Sequence, residues 1–381
     1  MMLASFGTAG FHELIALRFA TVHFRGAKCA QPKVKGRRSS EPRIALNEVK
    51  GSFTTLLQYC NIALLLNCIK TLLRLCNNSI IIYIFASATT NPDGRKAVHK
   101  TFFIMKQKRK TQLRAVIGIG NYKGGVGKTT TTLNLAMALH LQGYRVMVID
   151  MDRQANLSSC TEWDPDLELQ HYPTIYNVLC EDAPVPVYKS SSGLYYCPST
   201  SIMNKVDQQL PTMRNPAMKL TRALQKAPDD HTGEGIADWT TDFDYILIDS
   251  PVGPQVLIDN ILIAANAVLI PINLEGFALN GLQNYLAYIQ EIRETENDEL
   301  VNLGFLISRR KSNIKGQREA EEQLRQRYGK EVLPVSISER EAVNKSQREF
   351  TTVYDIPRAD VPRDEFTALA NEIVKRTKGL I

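Results

Sequence analysis

The sequence predicts an α/β fold: a mostly parallel twisted sheet flanked by helices on both faces. Three observations predict it. Ala115–Ile119 is a short apolar run that opens into a glycine-rich turn, followed by Thr129 to Leu139 at helical spacing. Val146–Ile149 and Tyr245–Ile248 are two more short apolar runs, and each is followed at once by an aspartate, Asp150 and Asp249. Continuous apolar runs of this length read as strands buried on both faces, the pattern of a parallel sheet. In open α/β sheets ligands gather at the carboxyl ends of such strands.

The chain has 381 residues, enough to bury a large core. Its charge is uneven. Residues 1–104 hold 14 Lys and Arg against 4 Asp and Glu, a net of +10, and the remainder carries a net of −3. Any basic surface on the second part is therefore a local patch. The 7 cysteines form no Cys-x-x-Cys pair and no spacing with histidine. That argues against a disulfide framework or a zinc site and fits a reducing cytoplasm. Residues 52–90 are rich in Leu and Ile, but Lys70 and Arg74 interrupt them. A charge at the bilayer centre costs about 3 kcal/mol, so no membrane span is expected. No clear secretory signal opens the chain. Residues 1–104 also lack a convincing pair of amphipathic helices, and Met105-Lys-Gln-Lys-Arg-Lys reads as a natural start. Residues 1–104 are accordingly expected to be an unstructured extension or misassigned upstream sequence, with one folded domain over 105–381.

The stretch Ala115 to Thr130 carries the chemistry. Gly124, Gly125 and Gly127, with Val126 between them, let the backbone curl and aim N–H groups at phosphate oxygens. Lys128 supplies a point charge for β and γ phosphates, Thr129 a hydroxyl for Mg²⁺, and Thr130 continues the first turn of the helix. The strict phosphate-loop pattern wants glycine at 122; this chain has Tyr122 there and a second lysine, Lys123, at the mouth of the loop. Lys-Gly-Gly-Val-Gly-Lys-Thr-Thr resembles the deviant Walker A box of the ParA/MinD superfamily, and the preceding Asn-Tyr resembles its ParA branch. The resemblance implies a P-loop NTPase-like fold that uses ATP and Mg²⁺.

Later motifs extend the resemblance to about residues 112–378. Asp150-Met-Asp152-Arg-Gln-Ala-Asn is similar to the family's Asp-x-Asp-Pro-Gln-Gly-Asn box, with Arg153 for proline and Ala155 for glycine. It implies that Asp152 orients or activates the attacking water and that Asp150 supports the Mg²⁺ shell. Alternation along a strand places both carboxylates on one side. Residues 174–179 read as helix, Pro184 and Pro186 as a turn, 193–198 as a strand, a helix follows near Met203, and 226–241 read as a surface loop. Asp249 is a Walker B carboxylate, which holds Mg²⁺ through water. Val268–Asn273 is another strand. Glu275 to Leu282 is similar to the Glu-x-x-Ala-Leu-x-Gly segment that contributes to the family's dimer face. Leu303–Ser308 is a strand, Glu319–Tyr328 an amphipathic helix and Val332–Ile337 the last strand. Relatives have Ile-Pro-Arg near there and use that turn against adenine; Ser338-Glu339 stands here instead, which leaves the base contact open. In the helix expected over Glu365–Lys378, Phe366, Leu369, Ile373 and Val374 share one face, expected to pack on the core.

Function follows as an expectation. By the resemblance, Lys123 reaches the partner subunit's nucleotide, so ATP joins two copies in a homodimer that hydrolysis releases. The dimer is expected to bind duplex DNA without sequence preference and to work with a ParB-like partner in plasmid or chromosome partition, in the cytoplasm at the nucleoid. Arg309, Arg310, Lys311, Lys315, Lys345 and Arg348 are the candidate phosphate contacts. The alternatives are a MinD-like ATPase acting at a membrane surface and a transcription regulator using an N-terminal DNA-binding domain.

Overall fold

The computed structural model describes residues 80–90, 96–106, 112–164, 171–275 and 279–380, and of residues 80–106 the backbone alone. The chain divides into two units, residues 1–108 and 109–381. In the first, β1 (Ile80–Thr90) and β2 (Lys96–Lys106) form an antiparallel hairpin in which Met105 pairs with Ile81. The sequence reading placed no element there. It placed a chain start at Met105, which lies inside a strand. The rest of the expectation for residues 1–104 falls outside the described residues.

The second unit is built on one sheet. Its strands are β3 (Ala115–Ile119), β4 (Val146–Asp150), β5 (Pro186–Lys189), β6 (Tyr195–Cys197), β7 (Asp229–Asp230), β8 (Tyr245–Asp249), β9 (Ala267–Asn273), β10 (Val301–Arg310) and β11 (Val332–Ser338). They lie in the order β11-β10-β9-β3-β8-β4-β6-β5-β7. Each neighbouring pair is parallel except β5 against β6. This is the expected mostly parallel α/β sheet. The central strands β3, β4, β8 and β9 are buried along their whole length, which is why their sequences do not alternate.

Successive residues still point to opposite faces. Met147, Ile149, Ile246 and Ile248 join one core layer with α3 (Gln255–Ala264) and α4 (Leu279–Thr295). Ile117, Val148 and Leu247 join the other, with α1 (Lys128–Leu141) and the last helix, α7 (Asp360–Arg376). α2 (Ile175–Glu181) and α5 (Lys315–Tyr328) also pack on the first layer, so helices cover both faces. α1 lies between the sheet and α7 and is buried almost all round, so it shows little amphipathic pattern. On α7, Phe366, Leu369 and Ile373 are fully buried and Val374 partly, so the apolar face is taken up by the core.

Two stretches differ from the sequence reading. Pro186 opens a strand rather than a turn, which its place near the sheet edge permits. Residues 226–241 are not wholly surface loop. Asp229 and Asp230 add the edge strand β7, and Ile236 and Trp239 are buried. The helix expected near Met203 is a 3₁₀ turn, Ser201–Lys205, followed by one short turn of α-helix.

Candidate functional site: a phosphate loop at the carboxyl ends of three parallel strands

Register assembles the site. Ile119 of β3 and Asp150 of β4 both pair with Asp249 of β8, so the phosphate loop leaves the sheet beside two neighbouring carboxylates. Asn121 anchors the start of the loop. Its side-chain amide donates to the Pro271 carbonyl at 2.8 Å and its carbonyl oxygen accepts the Lys123 N–H at 3.0 Å. Gly125 and Gly127 have φ of +71° and +83°, left-handed values that admit glycine at little cost. At the far end Ser308 Oγ, at the end of β10, lies 2.6 Å from the Val126 carbonyl.

The two lysines are placed differently. Lys128 is buried, with its ammonium on the carbonyls of Asn121 and Lys123 at 3.2 and 3.3 Å. Burial lowers its pKa, against the pull of Asp249 and Asp152. Lys123 is exposed, and its ammonium donates to the Glu275 carbonyl at 3.0 Å. Thr130 is the third residue of α1, where its hydroxyl accepts from Gln347.

Asp249 and Asp150 are almost wholly buried, and burial above all pushes both carboxyls above the usual range, with the charge of Asp150 adding to it at Asp249 and that of Asp152 at Asp150. Thr132 Oγ1 stands 3.0 Å from Asp249 Oδ1, and the Thr129 hydroxyl also bonds this carboxylate. Asp249 Oδ2 is buried and has no hydrogen-bond partner. A buried orphan carboxylate oxygen with a threonine hydroxyl beside it suits a hard cation that draws its other ligands from water and phosphate. The residues present thus fit Mg²⁺, with Thr129 and Asp249 to hold it. Asp150 is occupied otherwise. Its Oδ1 accepts the Asp152 N–H at 3.0 Å, and its Oδ2 accepts the Ser158 N–H and hydroxyl at 2.9 and 2.6 Å. These bonds tie it to the turn that carries Asp152. Strand β4 ends at Asp150, so Asp152 lies in that turn rather than in strand alternation; it is half-buried and lines the cleft.

The cleft beside the loop has a volume of about 540 Å³, ample for a nucleotide. One wall is the loop and the first turn of α1. The other includes Arg309, Ser338, Glu339, Gln347 and Phe350.

The six cations proposed for DNA do not form one open patch. Arg309 sits in the cleft wall, 3.4 Å from the Gly125 carbonyl and 2.9 Å from Glu339. Lys311 bridges Glu275 and Glu339 at 2.7 and 2.9 Å. Arg310 pairs with Glu321 at 2.7 Å, Lys315 with Glu319 at 3.4 Å, Lys345 with Glu349 at 3.6 Å, and Arg348 with Glu341. Ser308, Thr132 and Asn134 belong to the site and were not singled out from sequence. For Thr132 a signal existed, because it lies three residues beyond Thr129 on one helical face.

A nucleotide cleft over a phosphate loop, with two carboxylates at strand ends, defines a P-loop ATPase-like protein. A family model described as an AAA domain matches residues 114–302. The chromosome partitioning protein ParA of Caulobacter vibrioides is 30% identical over 270 residues, which are 69% of this chain and 95% of that protein. The sporulation initiation inhibitor protein Soj of Bacillus subtilis is 30% identical over 235 residues, 60% of this chain and 87% of that protein. Among solved structures, cobyrinic acid a,c-diamide synthase from Mycobacterium smegmatis with bound ADP and magnesium superposes with a TM-score of 0.56 at 26% identity, over 71% of this chain and 96% of that one. The chain belongs to the ParA/MinD-type family of P-loop ATPases.

Proposed function

We propose that this protein is a Mg²⁺-dependent ATPase whose ATP-bound form is a face-to-face homodimer, and that the dimer binds duplex DNA without sequence preference. With a ParB-like partner it would partition a plasmid or chromosome, in the cytoplasm at the nucleoid. The observation that carries this reading is the division of labour between the two lysines. Lys128 is buried within its own loop, whereas Lys123 stands exposed at the loop's mouth, where a second subunit's nucleotide could meet it. Asp152 lines the same cleft and is the group to orient water against the γ-phosphorus; the bond to the β-phosphate oxygen breaks and ADP leaves.

DNA binding in this reading has a condition. Each candidate cation faces a carboxylate, so backbone phosphate must displace carboxylate, and doubling the surface by dimerisation is what makes the exchange favourable. A membrane-surface role lacks a comparable support, because the apolar face of α7 is buried in the core.

The test is duplex DNA co-sedimentation with ATP, with ADP and without nucleotide. Binding is expected with ATP alone, and Asp152→Ala should hold both the dimer and the DNA complex with ATP. Lys123→Ala should lose dimer and DNA together. Arg310→Ala with Lys315→Ala should flatten the salt slope by about two contacts per monomer and leave basal ATPase unchanged. Nucleotide-independent binding, or a monomeric Asp152→Ala protein with ATP bound, would overturn the reading.

A further inference from the structure

The base end of the cleft differs from what the family pattern implies. β11 ends in Ser338, Glu339 opens the turn that follows, and the Glu339 carboxylate is engaged by Arg309 and Lys311, both at 2.9 Å. That turn presents an ion pair where a base needs a flat apolar surface. Such a surface stands elsewhere on the same cleft. α6 (Glu341–Arg348) runs along the cleft wall, and two residues beyond its end Phe350 lines the cleft with 56% of its surface exposed.

We propose that Phe350 is the residue on which the nucleotide's purine base stacks. Its backbone has φ of +49°, a left-handed value that bulky side chains rarely adopt. The turn is gripped on both sides by the helix that carries the phosphate loop. Before it, Gln347 donates to the Thr130 hydroxyl; after it, the Val353 N–H donates to Asn134 Oδ1 at 2.8 Å. Both acceptors belong to α1, so the ring is held in a fixed relation to the phosphate end of the cleft. A strained backbone that leaves a large apolar ring in water is unfavourable on two counts, and such strain gathers at binding sites. A base laid on the ring removes the ring from water and adds stacking.

The inference rests on the nucleotide site and not on the DNA reading: ATP binding without DNA binding would end that reading and leave this one standing. The test compares Phe350→Gly and Phe350→Tyr with the wild type, measuring affinity for Mg-ATP and for Mg-tripolyphosphate by calorimetry, and melting temperature. Glycine accepts the left-handed turn, so Phe350→Gly should melt no lower than wild type. It should bind ATP about tenfold more weakly with tripolyphosphate affinity unchanged. Phe350→Tyr should bind ATP as wild type does. Unchanged ATP affinity in Phe350→Gly would overturn the proposal. So would an equal loss for ATP and tripolyphosphate, which would make Phe350 a prop for the loop rather than a seat for the base.

Discussion

Ala155 occupies a place that resemblance gives to glycine, and its backbone has kept glycine's conformation, with φ of +52°. Its N–H closes the turn on the Asp152 carbonyl at 3.0 Å, so the conformation serves Asp152 directly. Left-handed backbone costs an alanine about 1–2 kcal/mol. A glycine there gives back about 0.5–1 kcal/mol through the greater freedom of its unfolded chain. Ala155→Gly is therefore expected to stabilise the protein by up to about 1 kcal/mol, seen as a higher urea midpoint at unchanged m-value; a lower midpoint would show that the turn is not strained. At this scale the sequence singled out Lys128, Thr129 and Asp249 where chemistry narrows the choice of residue, and the fold brings the three together at one cleft. It was not readable where a side chain's partner is remote. Arg309, Arg310 and Lys311 form a basic run in the sequence, but Glu339, Glu321 and Glu275 neutralise them from three other segments.

Adjacent strand ends create a different kind of tension. β4 and β8 pair in register up to Asp150 and Asp249, which brings two carboxyls together in a dry place. Their folded pKa values are raised above the unfolded ones, so the folded protein holds more protons than the unfolded chain once pH exceeds about 4. Stability of the protein free of nucleotide and metal should then fall as pH rises from about 4 through neutrality. Asp249→Asn removes the more strongly raised of the two carboxyls and should flatten the profile. Thermal unfolding across that pH range in chelator checks this; a flat wild-type profile, or an equal slope in Asp249→Asn, would contradict it. The strands themselves were legible because their apolar runs are uninterrupted. β5 was not, because Pro184 and Pro186 are turn residues by local chemistry, and only an edge position tolerates proline in a ladder.

For the whole molecule, the division after Lys108 gives a sharper boundary than the methionine at 105. The matched family segment begins at 114, and every motif of the site lies beyond it. A chain starting at Arg109 behind an initiator methionine is expected to keep the melting temperature and ATP affinity of the full chain. Loss of either would show that residues 1–108 contribute to the ATPase unit. The α/β class was legible at this scale because three strand-end motifs had only one arrangement that brings them together. The hairpin over 80–106 was not, since its composition resembles neither an alternating strand pair nor a helix pair.

One contact beneath the phosphate loop has a mechanical meaning. Tyr285 of α4 lies so close to the backbone at Gly120 that a methyl group there would sit 2.2 Å from its hydroxyl, and Tyr122 stands edge-on to the same ring at 4.8 Å. α4 begins inside the segment, Glu275 to Leu282, that the resemblance assigns to the dimer face. Tyr285 leaves no room for a side chain at Gly120, and packed interiors compress little, so a tilt of α4 would press on the backbone there. Any such coupling is reciprocal. If closing the loop on a triphosphate favours one seating of α4, then a second subunit that favours that seating must tighten the grip on the triphosphate by the same factor.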